Sequence, residues 1–221
     1  MIIDERMVTY INSLDTGHTP FLENLERTAK QDRVPVIRRE MQSFLKVFLK
    51  MKQPKRILEV GTAVGFSAVF MAQYGEPDAE ITTIENYEKR IPIARENFKK
   101  SGFADRITLI PGDAAEVLKT LDGPYDFIFM DAAKGQYIHF LPEVLRVLDK
   151  NGVLITDNVL QDGDVIESRF AVERRNRTIH KRMREYLFEL THNEGLLTSV
   201  VPLGDGIAIT MKSHEKREET T

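Results

Sequence analysis

The chain has no cysteine. Disulfides, thiolate metal centres and cysteine nucleophiles are therefore excluded. It also lacks any apolar run near the roughly 20 residues that a membrane-spanning helix needs, and its N-terminus does not follow the basic-then-apolar layout of a signal peptide. A cytoplasmic protein with no membrane partner is expected. No charge sign dominates: 31 Lys and Arg against 34 Asp and Glu leave a net charge of −3. Nucleic-acid binding would have to rest on local clusters, because the global field does not favour it. No internal repeat is visible, and 221 residues suffice for one domain with a full core.

What is present centres on Arg56-Ile-Leu-Glu-Val-Gly-Thr-Ala-Val-Gly-Phe-Ser67. Ile57, Leu58 and Val60 read as a buried parallel strand that breaks at Gly61. A helix begins just past Gly65, at Phe66 and Ser67. Both glycines would let backbone come close to a ligand, and the helix start offers unpaired N–H groups. A second apolar run, Ile81 to Ile84, ends at Glu85, where a carboxylate suits a ribose diol. The dinucleotide fingerprint G-x-G-x-x-G is absent: Ala63 stands where its second glycine would fall. Glu59 at the strand end suits a ligand without phosphates.

From Ile57 on, strand and helix patterns alternate. Strands are expected over 56–61, 80–85, 106–111, 125–130 and 152–157, with helices over 65–75, 87–101, 113–121 and 136–149. A long helical stretch, about 162–193, precedes two strands, Leu197–Val201 and Gly206–Lys212, joined through Gly204-Asp205-Gly206 as a hairpin. The fold class is α/β: a doubly wound, Rossmann-like, seven-stranded and mostly parallel sheet with one antiparallel strand. Three amphipathic helices (4–14, 20–30 and 36–51) are added before it. The expected organisation is one domain over 1–212. Residues 1–52 form a helical lid or subunit contact, 53–212 the Rossmann-like core, and 213–221 a flexible polar tail.

Ligands in such sheets sit beyond the carboxyl ends of the strands. Asp113, after the third strand, reads both as an adenine contact and as a helix N-cap. The fourth strand ends in Asp131-Ala-Ala-Lys134 and the fifth in Asp157-Asn158. Neighbouring strands lie about 4.8 Å apart, so Asp131, Asp157 and Asn158 would converge. Two carboxylates and an amide oxygen suit Mg2+ or another hard divalent cation.

The glycine motif resembles the first motif of class I S-adenosylmethionine-dependent methyltransferases. The acidic set resembles the metal-dependent O-methyltransferases related to catechol and caffeoyl-CoA O-methyltransferases. That resemblance implies S-adenosylmethionine and a divalent metal as cofactors. It makes Asp131, Asp157 and Asn158 metal ligands, and places Lys134 with Asp131 at the reacting hydroxyl. Lys134 would be either a general base or an electrostatic aid. Gly61, Ser67, Glu85 and Ala114 match cofactor positions, and Val36 an N-terminal cofactor contact; Glu59, Gly65, Phe66, Asp113 and Asp131 complete the expected cofactor set. The chain departs from the family at Met41-Gln42, where many relatives have Gly-Gln. A homodimer is a further implication of the resemblance.

Such a metal site takes an acceptor with two adjacent oxygens. Between Arg169 and Arg184 lie seven basic residues and one acid, Glu173, and a second basic series runs from Arg33 to Arg56. With these clusters the chain resembles the bacterial tRNA 5-hydroxyuridine methyltransferases, which form 5-methoxyuridine at the wobble position. The tRNA anticodon loop is then the expected partner, held by Arg38, Arg39, Arg174, Arg175 and Arg177. The alternatives are a small-molecule catechol or caffeoyl-CoA-type O-methyltransferase, and a nicotinamide-dependent oxidoreductase or binding module on the same fold.

Overall fold

The computed structural model describes residues 3–213, so the expected flexible tail beyond Ser213 lies outside the described residues. Helices α1 (Glu5–Ser13), α2 (Pro20–Gln31) and α3 (Arg39–Lys52) come first. Thr19 caps α2 ahead of Pro20, whose missing N–H costs nothing at a first helical position. Then β1 (Arg56–Val60), α4 (Phe66–Tyr74), β2 (Glu80–Glu85), α5 (Ile91–Ser101) and β3 (Ile107–Pro111) alternate. They are followed by α6 (Ala114–Thr120), β4 (Tyr125–Met130), α7 (Tyr137–Val147), β5 (Leu148–Thr156), α8 (Arg177–His192), β6 (Leu196–Val201) and β7 (Ile207–Lys212). The sheet runs β3-β2-β1-β4-β5-β7-β6. Strands β1 to β5 pair in parallel, and β7 is antiparallel to both β5 and β6, so one strand of seven is reversed, as expected.

Side chains alternate across the strands. Ile57, Phe127, Phe129 and Ile155 face a core shared with α2 to α5, while Leu58, Val60, Ile128 and Leu154 face one shared with α6 to α8. Helix α4 is apolar all round and buried from Phe66 to Ala72 because α2 and α3 cover its outer side. The N-terminal helices are thus a third layer, and their connection at 35–38 lines the cavity at the strand ends.

Four boundaries differ from the sequence expectation. Helix α3 starts at Arg39, because residues 34–38 are not helical, Arg38 is extended and Gln42 Nε2 holds the Ile37 carbonyl at 2.8 Å. Helix α5 starts at Ile91 and not at 87, because the residues before it form a turn in which the Arg90 amide donates to the Tyr87 carbonyl at 2.8 Å. Strand β5 starts at Leu148: Leu148 pairs with Tyr125, and the register then jumps to Val153 opposite Phe127. The stretch 162–193 is helical throughout only from Arg177. Before it come short 3-10 turns at 161–166 and 174–176 and an irregular loop. Among the described residues no helix is long and apolar enough to cross a membrane.

Candidate active site

The strand order reverses between β1 and β4, which opens a crevice beyond their carboxyl ends. A cavity of about 740 Å3 lies there. Val36, Phe66, Ser67, Glu85, Asp113 and Ala114 line one part of it, and Asp131, Lys134, Asp157 and Asn158 another. Gly61, also in the wall, explains why the two parts meet. Its φ is +98°, and a Cβ there would lie 2.2 Å from the Asp131 carbonyl oxygen. Only glycine lets the end of β1 press against the turn that carries Asp131.

On the cofactor side, Glu85 is buried and fixed by backbone. Its Oε2 accepts from the Ala63 amide at 2.7 Å and its Oε1 from the Tyr87 amide at 2.8 Å. Asp113 caps α6, with Oδ1 accepting from the Ala115 amide at 2.8 Å, and it also lines the cavity. Two expected cofactor residues stand behind the wall. A Cβ on Gly65 would meet the Phe98 ring at 2.5 Å, so that glycine serves helix packing and not ligand approach. Glu59 is fully buried beneath the glycine turn and accepts a hydrogen bond from Thr83 Oγ1, while its Oε1 has no partner among the described residues. Burial pushes the Glu59 carboxyl up to about 7, although the hydroxyls of Ser67, Thr62 and Thr83 pull the other way.

A carboxyl raised in this way favours folding fully below its unfolded value near 4.5, and that contribution is lost as pH rises through about 7. The loss is on the order of 3 kcal/mol. Glu59→Gln is therefore expected to lessen the fall in stability between these pH values. Urea denaturation at pH 4.5 and pH 8 checks it, and parallel pH dependences in variant and parent would contradict it.

On the acidic side, the turn after β5 carries Asn158 in the left-handed region (φ +62°), which Asn tolerates better than most residues. The turn is closed by the Asn158 amide donating to Asp157 Oδ1 at 2.7 Å, and Asn158 Nδ2 donates to Asp131 Oδ1 at 2.9 Å. Asp131, Asp157 and Asn158 thus converge as the strand pairing requires. Burial raises both carboxyls; Asp157 is raised further by the charge of Asp131, while Asn158 and Lys134 partly offset the rise at Asp131. Two acids crowded in this way, with an amide beside them, form a donor set that fits a hard divalent cation. Among the described residues no three His, Cys, Asp or Glu side chains form a metal cluster.

Two contributors were not legible in sequence. Tyr137 is fully buried, and its hydroxyl lies 3.2 Å from both the amide and the carbonyl of Ala132 and 3.3 Å from the Asp157 carbonyl, tying the two acidic turns together. Asp205 is 2% exposed and bonds Lys134 Nζ at 2.8 Å. In sequence it is only a turn residue between two glycines. His139, on α7, is exposed.

The arginines divide. Arg39 is held by Glu23, Glu26 and Asp15 and belongs to the α2–α3 packing, which removes it from the RNA-facing set. Arg177 donates to the Val172 and Phe170 carbonyls, and Arg182 to that of Gly135, so both brace loops around the site. Arg38 lines the cavity and pairs with Asp162 at 3.3 Å. Arg174 and Arg175 are exposed, Arg175 beside Glu173 at 2.7 Å. The second basic series is not one surface at this site, because Lys55 and Arg56 lie at the opposite end of β1.

Comparison with known proteins agrees with this geometry. Residues 12–213 match the family model described as O-methyltransferase. A catechol O-methyltransferase of Mycobacterium tuberculosis is 30% identical over 160 residues, covering 71% of this chain and 73% of that one. Caffeoyl-CoA O-methyltransferase 1 of Eucalyptus globulus is 29% identical over 206 residues, or 86% and 80% of the two chains. The SAH-bound methyltransferase PaMTH1 of Podospora anserina superposes with a TM-score of 0.86 at 28% identity, over 95% of this chain and 94% of that one. With its reversed seventh strand, glycine turn and paired strand-end acids, the chain belongs to the O-methyltransferase family.

Proposed function

We propose that the protein transfers the methyl group of S-adenosylmethionine to one of two adjacent oxygens on a small phenolic acceptor of the catechol or caffeoyl-CoA kind. The observation that carries this reading is the convergence of Asp131, Asp157 and Asn158 beside Lys134, in the same cavity as Glu85 and Asp113. The relatives named for catechol and caffeoyl-CoA support the acceptor class, and the SAH-bound neighbour supports the donor. Glu85 would accept the ribose hydroxyls, and Asp113 an adenine N–H. Asp131, Asp157 and Asn158 would hold a divalent cation, which when bound lowers the pKa of the acceptor hydroxyl. Lys134 would place a positive charge beside the oxygen that gains negative charge, and the cavity walls would hold that oxygen in line with the donor methyl.

A second reading is methylation of 5-hydroxyuridine in a tRNA anticodon loop, whose 5-hydroxyl and neighbouring carbonyl form the same chelate. It is favoured by the exposed Arg169, Arg174, Arg175 and Phe170 on the segment that follows β5, with Arg38 in the cavity wall. The test incubates the protein with labelled S-adenosylmethionine and Mg2+, offering in parallel a catechol and tRNA bearing 5-hydroxyuridine, each with and without EDTA. EDTA-sensitive label in the catechol alone is the expected result. Label in the tRNA alone would transfer the reading to RNA, and label in neither would overturn both.

A further inference from the structure

The mechanism above leaves a buried carboxylate without a task. Asp205 sits between Gly204 and Gly206, both at positive φ, in the turn joining β6 to β7. A hairpin-turn aspartate ordinarily faces water. Here the turn is folded inward: the Leu160 amide donates to the Asp205 carbonyl and the Val159 amide to that of Gly206, both at 2.9 Å. A Cβ at Gly206 would lie 2.2 Å from Leu160 Cγ, so the close approach requires glycine. The Asp205 side chain is thereby taken out of solvent, and an isolated charge there would be costly. Both of its oxygens are engaged. Oδ2 meets Lys134 Nζ at 2.8 Å, and Oδ1 accepts from the Asp162 amide. The Asp162 carboxylate in turn pairs with Arg38, in the wall of the cavity.

We infer that Asp205 is a positioning residue: it holds the Lys134 ammonium toward the acidic turn and locks the loop after β5 to the same point. Lys134 is only 35% exposed and stands on a short 3-10 turn, Lys134–Gln136, that supplies no rigid support of its own. A four-carbon side chain has many rotamers, and a fixed carboxylate removes most of them. The role of Lys134 in methyl transfer rests on the function proposed above, but the pairing can be tested without turnover.

Asp205→Asn keeps an oxygen for the Asp162 amide and removes the charge that holds the lysine. The first measurement is amine labelling of Lys134 with a water-soluble acylating reagent, followed by peptide mass spectrometry. Labelling at least about fivefold faster in the variant is expected, because the amine is no longer half of a partly buried ion pair. An unchanged rate would overturn the inference, whatever the acceptor proves to be. The second is turnover with the acceptor that the wild type uses. A fall of about 100-fold in kcat with little change in KM for S-adenosylmethionine is expected, the size of effect that misplacing a reacting group produces. In a Lys134→Met background the same change should cost nothing further. An equal loss there would make Asp205 a structural residue only. Should Asp205→Asn not fold, Lys134→Met carries the test: leaving Asp205 buried without its cation should lower the thermal midpoint, and an unchanged midpoint would overturn the pairing.

Discussion

Asp157→Asn is expected to lower methyl transfer by about 100-fold or more while making the metal-free protein more stable. The loss follows from the donor set. A bound cation contributes several kcal/mol to the transition state, and each 1.4 kcal/mol is about tenfold in rate. The gain follows from the same two acids. Burial raises Asp131 and Asp157, and Asp157 is raised further by its neighbour's charge. Raised carboxyls favour folding below their unfolded values, and that contribution is lost as pH rises through the folded ones. At pH 8 without metal the parent therefore carries a repulsion that the variant lacks; near pH 3 the two converge. An increase of a few degrees in thermal midpoint is the scale for about 1 kcal/mol in a chain of this size. Excess Mg2+ should reverse the order, because only the parent retains the full site. Midpoints that respond neither to the substitution nor to Mg2+ would remove the cation from this site.

The second large effect concerns the fold. Arg39→Ala is expected to destabilise the protein by about 3 kcal/mol, measured by urea denaturation. Its guanidinium meets Glu26 at 2.5 Å, Glu23 at 2.7 Å and Asp15 at 3.5 Å. Most of the cost comes from Glu26, whose side chain is 3% exposed and would keep only Lys30 and Gln42 as partners. The Glu23 pair is partly open to solvent and contributes less. The Arg39 hydrogen bond is the largest cause holding the Glu23 carboxyl down at about 2. A depressed carboxyl stabilises the fold above its unfolded value near 4.5, and the contribution disappears as pH falls toward 2. Acid unfolding of the variant should therefore begin at a higher pH. Gln42, from the same cluster, holds the Ile37 carbonyl, so cofactor affinity should fall as well. A stable variant with impaired RNA use alone would return Arg39 to an RNA-facing role.

The elements that local pattern determines were legible. An apolar run bounded by glycine needs no tertiary context to become a buried strand, so β1 to β4 and the pair β6 and β7 fall within a residue of expectation at most boundaries. The start of α3 was not, because Val36 and Ile37 continue a helical spacing while their backbone is not helical and Gln42 holds the Ile37 carbonyl. Nor was the loop before α8. The pattern continued it as helix, whereas the helix begins only at Arg177, and in α8 itself Arg177, Arg182 and Arg184 brace neighbouring carbonyls.

By itself, the sequence determined the doubly wound sheet, the glycine turn and the two acidic strand ends. Strand and helix periodicity are local, and in such a sheet ligands gather at one edge whatever the details of packing. Only the tertiary structure decided which charges are available. Arg39 and Arg56 look alike in sequence, yet one is half-buried among carboxylates and the other lies at the far end of β1. Asp205 reads as a turn and stands against Lys134, 71 residues away. Pairings between distant charges depend on how elements dock, and no spacing along the chain encodes that.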